Sequence, residues 1–147
     1  MEREKEEGGE MKGINEVQRL QFELMQASSF NDFNGEQVVK DLIENKDNWI
    51  GCIWGRFGYF DLMPLRDISQ GIWNTDTLYI LTEKKNIRFL KKMAKKWKAD
   101  EFGWIEEIEN KKGSIYKTYG VFGDKQDFFN RFGGGLKNLA VIRMWWD

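Results

Sequence analysis

Thr77-Leu-Tyr-Ile-Leu-Thr82, then the charged stretch Glu83 to Trp97, then Ala99-Asp-Glu-Phe-Gly-Trp-Ile105: the architecture is read outward from this run. Thr77 to Thr82 is rich in β-branched and aromatic residues and is entered through the turn-forming Asn74-Thr75-Asp76, which predicts a strand. Thr82 is placed to cap a following helix, with Glu83 favoured at its positive end. Within that helix Ile87, Leu90, Ala94 and Trp97 recur at helical spacing and define a buried stripe, with Phe89 and Met93 at its edge. The residues after Lys98 return to strand composition. Strand, amphipathic helix and strand imply a helix lying across a sheet.

The other side of this helix carries Lys84, Lys85, Arg88, Lys91, Lys92, Lys95 and Lys96, and no acid falls between Lys84 and Lys98. Two readings follow. The lysines are the solvated face of a surface helix, neutralised by Asp100, Glu101, Glu106, Glu107 and Glu109. Alternatively Lys84, Arg88, Lys91, Lys92, Lys95 and Lys96 face the phosphates of a nucleic acid. The formal net charge of −1 requires any basic surface to be local.

A chain of 147 residues corresponds to one domain with its own core. No apolar run approaches the length of a membrane span, and the N-terminus lacks the basic and apolar pattern of a secretory signal. Cys52 is the lone cysteine. These features point to a cytoplasmic protein. The count of His is 0, which removes Ser-His-Asp and Cys-His nucleophile pairs, histidine acid–base catalysis and His-ligated zinc. Carboxylate, lysine, tyrosine and arginine chemistry stays open, but no phosphate-binding loop, dinucleotide fingerprint or calcium loop is present. The sequence therefore leans away from an enzyme, and no catalytic residue, metal ligand or cofactor is assigned.

Residues 1–13 are almost devoid of apolar side chains and are expected to form a disordered tail, leaving 14–147 as the folded domain. Asn15 and Gln18 form a variant capping box opening a first helix, with Val17, Leu20, Leu24 and Ala27, joined by Met25, on its buried side. Asn34 and Gln37 repeat the device for a second helix that turns Val38, Val39, Leu42 and Ile43 inward. Ser28 to Phe33 is the turn between them. Trp49 to Trp54 and Tyr59 to Met63 read as a hairpin joined through Gly55 to Gly58, with Pro64 closing its second strand. Cys52 within it reads as a small buried hydrophobe. Arg56 to Leu62 shares aromatics with the RNA-recognition signature but lacks its glycine and its following helix and strand, so membership does not follow.

Glu106 to Gly113 reads as a short helix or loop, and Ser114 to Phe122 as a strand. Asp124 caps a helix bearing Phe128, Phe129 and Phe132, which the Gly133-Gly134-Gly135 run ends. Leu139 to Trp146 is a strong strand with Leu139, Val141, Arg143 and Trp145 on one face and Ala140, Ile142, Met144 and Trp146 on the other. Both faces are apolar enough for a central position.

The expected fold is α+β: a single domain with a mostly antiparallel or mixed sheet of about four or five strands. Two N-terminal helices and one basic amphipathic helix pack on it, and the second half has a ferredoxin-like order. The aromatic content, 7 Trp, 11 Phe and 4 Tyr, exceeds what one small core needs if some of it is exposed. A non-catalytic protein-binding module is the first expectation. Trp54, Phe57, Tyr59, Trp73 and Trp145 are exposable aromatics, and Arg56, Phe57, Tyr59, Arg143 and Trp145 are the candidate contacts. A nucleic-acid binder using the lysine helix is the alternative, and a small-molecule or carboxylate-metal enzyme the third class.

Overall fold

A computed structural model of the chain describes residues 12–55, 63–73, 75–133 and 135–147. Its helices are α1 (Glu16–Gln26), α2 (Gly35–Glu44), α3 (Met63–Ser69), α4 (Ile87–Lys96) and α5 (Lys125–Phe132). Its strands are β1 (Ser29–Phe30), β2 (Phe33–Asn34), β3 (Gly51–Trp54), β4 (Thr77–Glu83), β5 (Glu101–Asn110), β6 (Gly113–Gly120) and β7 (Leu139–Trp145). The short β1–β2 ladder links α1 to α2, and the other strands form one antiparallel sheet in the order β3-β4-β7-β5-β6. The chain is a single α+β domain, as its composition and periodicities predict.

The central unit forms as strand, helix and strand. β4 and β5 run parallel, but β7 lies between them and is antiparallel to both. β4-α4-β5-β6-α5-β7 follows a ferredoxin-like element order. The resemblance ends there, because α4 and α5 pack on opposite faces of the sheet. On one face Cys52, Trp54, Leu78, Ile80, Ile142, Met144 and Trp146 meet α1, α2 and α4 in the main core. On the other, Tyr79, Ile105 and Val141 pack with Phe122, Phe128 and Leu136 beneath α5. β7 is buried on both sides because each face has its own helical cover.

Four buried indoles organise the main core. Trp49 Nε1 donates to the Leu42 carbonyl at 2.7 Å and Trp54 Nε1 to Ser28 Oγ at 3.0 Å. Trp146 Nε1 donates to the Trp97 carbonyl at 2.9 Å, and Trp97 Nε1 to Asp41 Oδ2 at 2.8 Å. Phe33 stacks on Trp54 with centroids 4.3 Å apart and meets Trp146 edge-on at 4.8 Å. A buried indole loses its hydration, so each N–H needs an acceptor at one place, and the rings thereby set the position of the helices. Asp41 is the ionised member. It takes Trp97, Lys96 Nζ at 2.9 Å and Gln37 Nε2 at 3.0 Å. Burial raises its carboxyl pKa, but these donors outweigh that effect and hold it below its ordinary value.

Several expectations are corrected. In α1, Met25 is buried as expected, but Val17, Leu20 and Ala27 are exposed, and Gln18, Arg19 and Phe22 are buried in their place. The helix covers an edge of the sheet rather than only an apolar face. Gln18 Nε2 donates to the Cys52 carbonyl at 2.9 Å and its Oε1 accepts from the Cys52 N–H at 2.7 Å, while Gln21 Oε1 accepts from Trp54 N–H at 2.9 Å. Side-chain amides therefore occupy the hydrogen-bonding groups that edge strand β3 would otherwise leave bare. Thr82 caps nothing: its hydroxyl donates to the Asn48 carbonyl at 2.8 Å, and a 3-10 turn, Lys84–Asn86, leads into α4. β3 pairs with β4. Residues 59–62, its expected partner, lie outside the described residues, and Met63 with Pro64 opens α3 rather than closing a strand. Glu106 to Gly113 is neither helix nor loop, because β5 runs on to Asn110 and turns directly into β6.

The N-caps expected for the other helices form, but not the return bonds of the capping boxes, since the Gln18 and Gln37 side chains go to Cys52 and Asp41. Asn15, Asn34 and Asp124 each accept from first-turn N–H groups, and Gly133 ends α5 at φ 84°. Gly35 answers a different need. A Cβ there would lie 1.7 Å from the Met25 carbonyl oxygen, so only glycine lets α2 start against the end of α1.

Gln18→Ala leaves two buried backbone groups of Cys52 unpaired and is expected to cost about 2–4 kcal/mol in urea unfolding; a loss below about 0.5 kcal/mol contradicts the edge-capping role. Asp41 has a lowered folded pKa, so its contribution is present above the unfolded carboxylate value and is lost as pH falls through the folded one. The stability gap between the native protein and Asp41→Asn should therefore be full near neutrality and close below about pH 4.

Candidate functional site

A cleft of about 510 Å³ opens where the end of α1, the β1 segment, the residues leading into β4 and the end of β7 converge. Its walls are Phe30, Ile72, Trp73 and Trp145, and Asp76 and Asp147 stand at its polar side. Each is there for a local reason. Phe30 is carried by the β1–β2 turn and stacks on Phe33 at 5.6 Å, which anchors it to the buried Trp54. Trp73 precedes β4, and its indole N–H reaches the Trp54 carbonyl at 3.4 Å. Trp145 ends β7, while Trp146, one residue on, turns into the core as strand alternation requires.

Asp76 is held through its side chain and backbone, and Asp147 through its backbone. Asp76 Oδ1 accepts from the Thr77 hydroxyl at 2.7 Å, and its carbonyl takes the Trp146 N–H at 3.0 Å. The Asp147 carbonyl accepts from Asn31 Nδ2, and its N–H donates to Asp100 Oδ2 at 2.7 Å. Among the described residues no lysine or arginine lines the cleft. Aromatic faces beside carboxylates make a site for a positively charged group, because ring quadrupole and carboxylate attract it together.

The residues singled out from sequence separate into groups. Trp145 lines this cleft. Arg143 shares its face of β7 but is turned to Glu101 and the Val121 carbonyl, each at 3.3 Å, and is mostly buried. Arg56, Phe57 and Tyr59 lie outside the described residues. Trp54, expected to be exposable, is 1% exposed, because its strand directs it between Phe33 and Trp146. Among the lysine-helix residues, Lys96 pairs with Asp41, and Lys84 Nζ donates to the Glu107 carbonyl at 2.6 Å. Arg88, Lys91, Lys92 and Lys95 are exposed and form no ion pair among the described residues.

Phe30, Asp76 and Asp147 escaped sequence reasoning, since they are far apart in the chain and no spacing links them. Cys52 is buried, and burial pushes its thiol well above the ordinary range, which suits a core residue. Among the described residues no group of three or more Cys, Asp or Glu is placed to hold a metal, and no helix is long and apolar enough to cross a membrane. The chain matches no protein-family model, and comparisons with curated proteins and with solved structures likewise found no match.

The partly buried Trp145 and the fully buried Trp146 should respond differently to truncation. Trp146→Ala is expected to cost about 3–5 kcal/mol, whereas Trp145→Ala, whose ring is only partly covered, should cost less, about 1–2.5 kcal/mol. Equal losses in chemical denaturation would make Trp145 a core residue and remove it from the cleft wall.

Proposed function

We propose that this protein is a non-catalytic, cytoplasmic binding module that engages a protein partner through the aromatic cleft, gripping a lysine or arginine side chain of that partner. The observation that carries the reading is the lining itself: Phe30, Trp73 and Trp145 surround a cavity whose charged groups are Asp76 and Asp147, with no basic residue among the described residues that line it. Its volume, about 510 Å³, fits one long side chain with part of its flanking backbone. Aromatic anchors with a charge at the pocket rim are the residues on which binding energy concentrates at interfaces. The absence of histidine and the lone, core-buried thiol support recognition over catalysis and a reducing compartment.

Tryptophan fluorescence titrated with short lysine- and arginine-containing peptides tests this, with glutamate-containing peptides of equal length as the comparison. The basic peptides should perturb the emission saturably, and Trp145→Ala or Asp76→Asn should weaken binding at least about tenfold, a loss of some 1.4 kcal/mol. Added salt should weaken it further. Failure of every basic peptide to bind, or binding that Trp145→Ala leaves intact, would falsify the assignment.

A further inference from the structure

The β5–β6 hairpin reaches past the helices on the main-core face of the sheet. There the register sets Trp104 opposite Tyr119, Glu106 opposite Lys117 and Ile108 opposite Ile115. Trp104 and Tyr119 stack with centroids 4.7 Å apart and planes 13° from parallel. Lys117 Nζ lies over the Tyr119 ring, 5.1 Å from its centroid. Lys117 and Ile115 are exposed, and Tyr119 is half-exposed. On its inner side Trp104 packs against the main core, to which Leu90, Ala94 and Trp97 of α4 also belong. Trp104 Nε1 is also the one buried side-chain polar atom without a partner among the described residues.

The helix beside it supplies unneutralised charge. Arg88, Lys91, Lys92 and Lys95 project from one side of α4 over about two turns, roughly 10 Å along its axis. Lys91 lies on the edge opposite the one that directs Lys96 to Asp41. A row of unpaired cations alongside a partly exposed ring is the combination that binds phosphates and unpaired bases together. We infer that this platform, Tyr119 stacked on Trp104 and flanked by Lys117, Arg88, Lys91 and Lys95, binds single-stranded nucleic acid. A base displaces the Lys117 ammonium from the outer side of Tyr119 and stacks there, while the backbone runs along α4. A duplex hides its base faces and would use the lysines alone. This surface is separate from the cleft at the end of β7 and does not depend on the reading of that cleft.

Fluorescence anisotropy of a labelled fifteen-nucleotide oligothymidine, measured on the full chain from low to moderate salt, tests the inference. The single strand should bind more tightly than a duplex of equal length and more tightly than polyglutamate. The pair Lys91→Glu and Lys95→Glu should lower affinity at least tenfold and flatten the log–log salt dependence by about 0.7 for each phosphate no longer neutralised. Tyr119→Ala should weaken binding about five- to hundredfold, the range for one stacked base, while Tyr119→Phe retains it. Circular dichroism checks that each variant is folded. Trp145→Ala should bind the oligonucleotide unchanged, which separates this result from failure of the cleft proposal. No binding at low salt overturns the inference. So does equal affinity for polyglutamate and oligothymidine with Tyr119→Ala unaffected, which would reduce the platform to a general anion surface.

Discussion

The main core depends on burying large indoles whose N–H groups must still be satisfied. Trp49, Trp54, Trp97 and Trp146 are each at most 8% exposed, and each donates to a different acceptor. Apolar burial alone favours many arrangements of similar area, because it has no direction. A buried N–H tolerates few of them, since losing its partner costs about 1–3 kcal/mol. Trp97 to Asp41 ties α4 to α2, Trp49 to Leu42 ties the approach to β3 to α2, and Trp54 to Ser28 holds the α1–β1 corner. Trp146 closes the set on the Trp97 carbonyl. Asp41 stays ionised inside this set because Trp97, Lys96 and Gln37 together replace its water.

That arrangement decides which surfaces are left over. α1 is spent on the edge of β3, where Gln18 and Gln21 stand in for a neighbouring strand. α4 lies over β7, so the outer part of β5–β6 has no helix above it on that face. α5 closes the other face. Among the described residues two aromatic surfaces remain, one at the end of β7 lined with carboxylates, the other beside α4 with cations and a stacked ring pair. A net charge of −1 conceals this separation. Sequence-wide charge describes solubility and long-range fields, whereas recognition follows from which charges share a surface.

Where periodicity and short-range chemistry act, the chain was readable. The stripe Leu90, Ala94 and Trp97, the caps Asn15, Asn34 and Asp124, and the two apolar faces of β7 depend on neighbours within one turn or one strand. The misreadings share a different cause. Val17 and Leu20 look like a buried stripe until the helix is seen to serve a strand edge through Gln18. Thr82 looks like a cap until its hydroxyl is found on Asn48. Glu106 to Gly113 looks too charged for a strand, because its hairpin extends beyond the core and needs no apolar alternation there. Trp54 looks exposable because nothing local reveals Phe33 and Trp146 as its walls.

The class of fold, the central strand–helix–strand unit, the helix caps and the chemistries that a chain without histidine lacks were all written in the order of residues. Each rests on composition or on neighbours a few positions apart. Three-dimensional packing alone settled which face of α1 is buried, that β7 separates β4 from β5, and which aromatics stay outside. The candidate cleft joins Phe30 to Trp73, Asp76 and Trp145. Residues so far apart meet only after the sheet order and the indole hydrogen bonds have been established, and no local pattern carries that information.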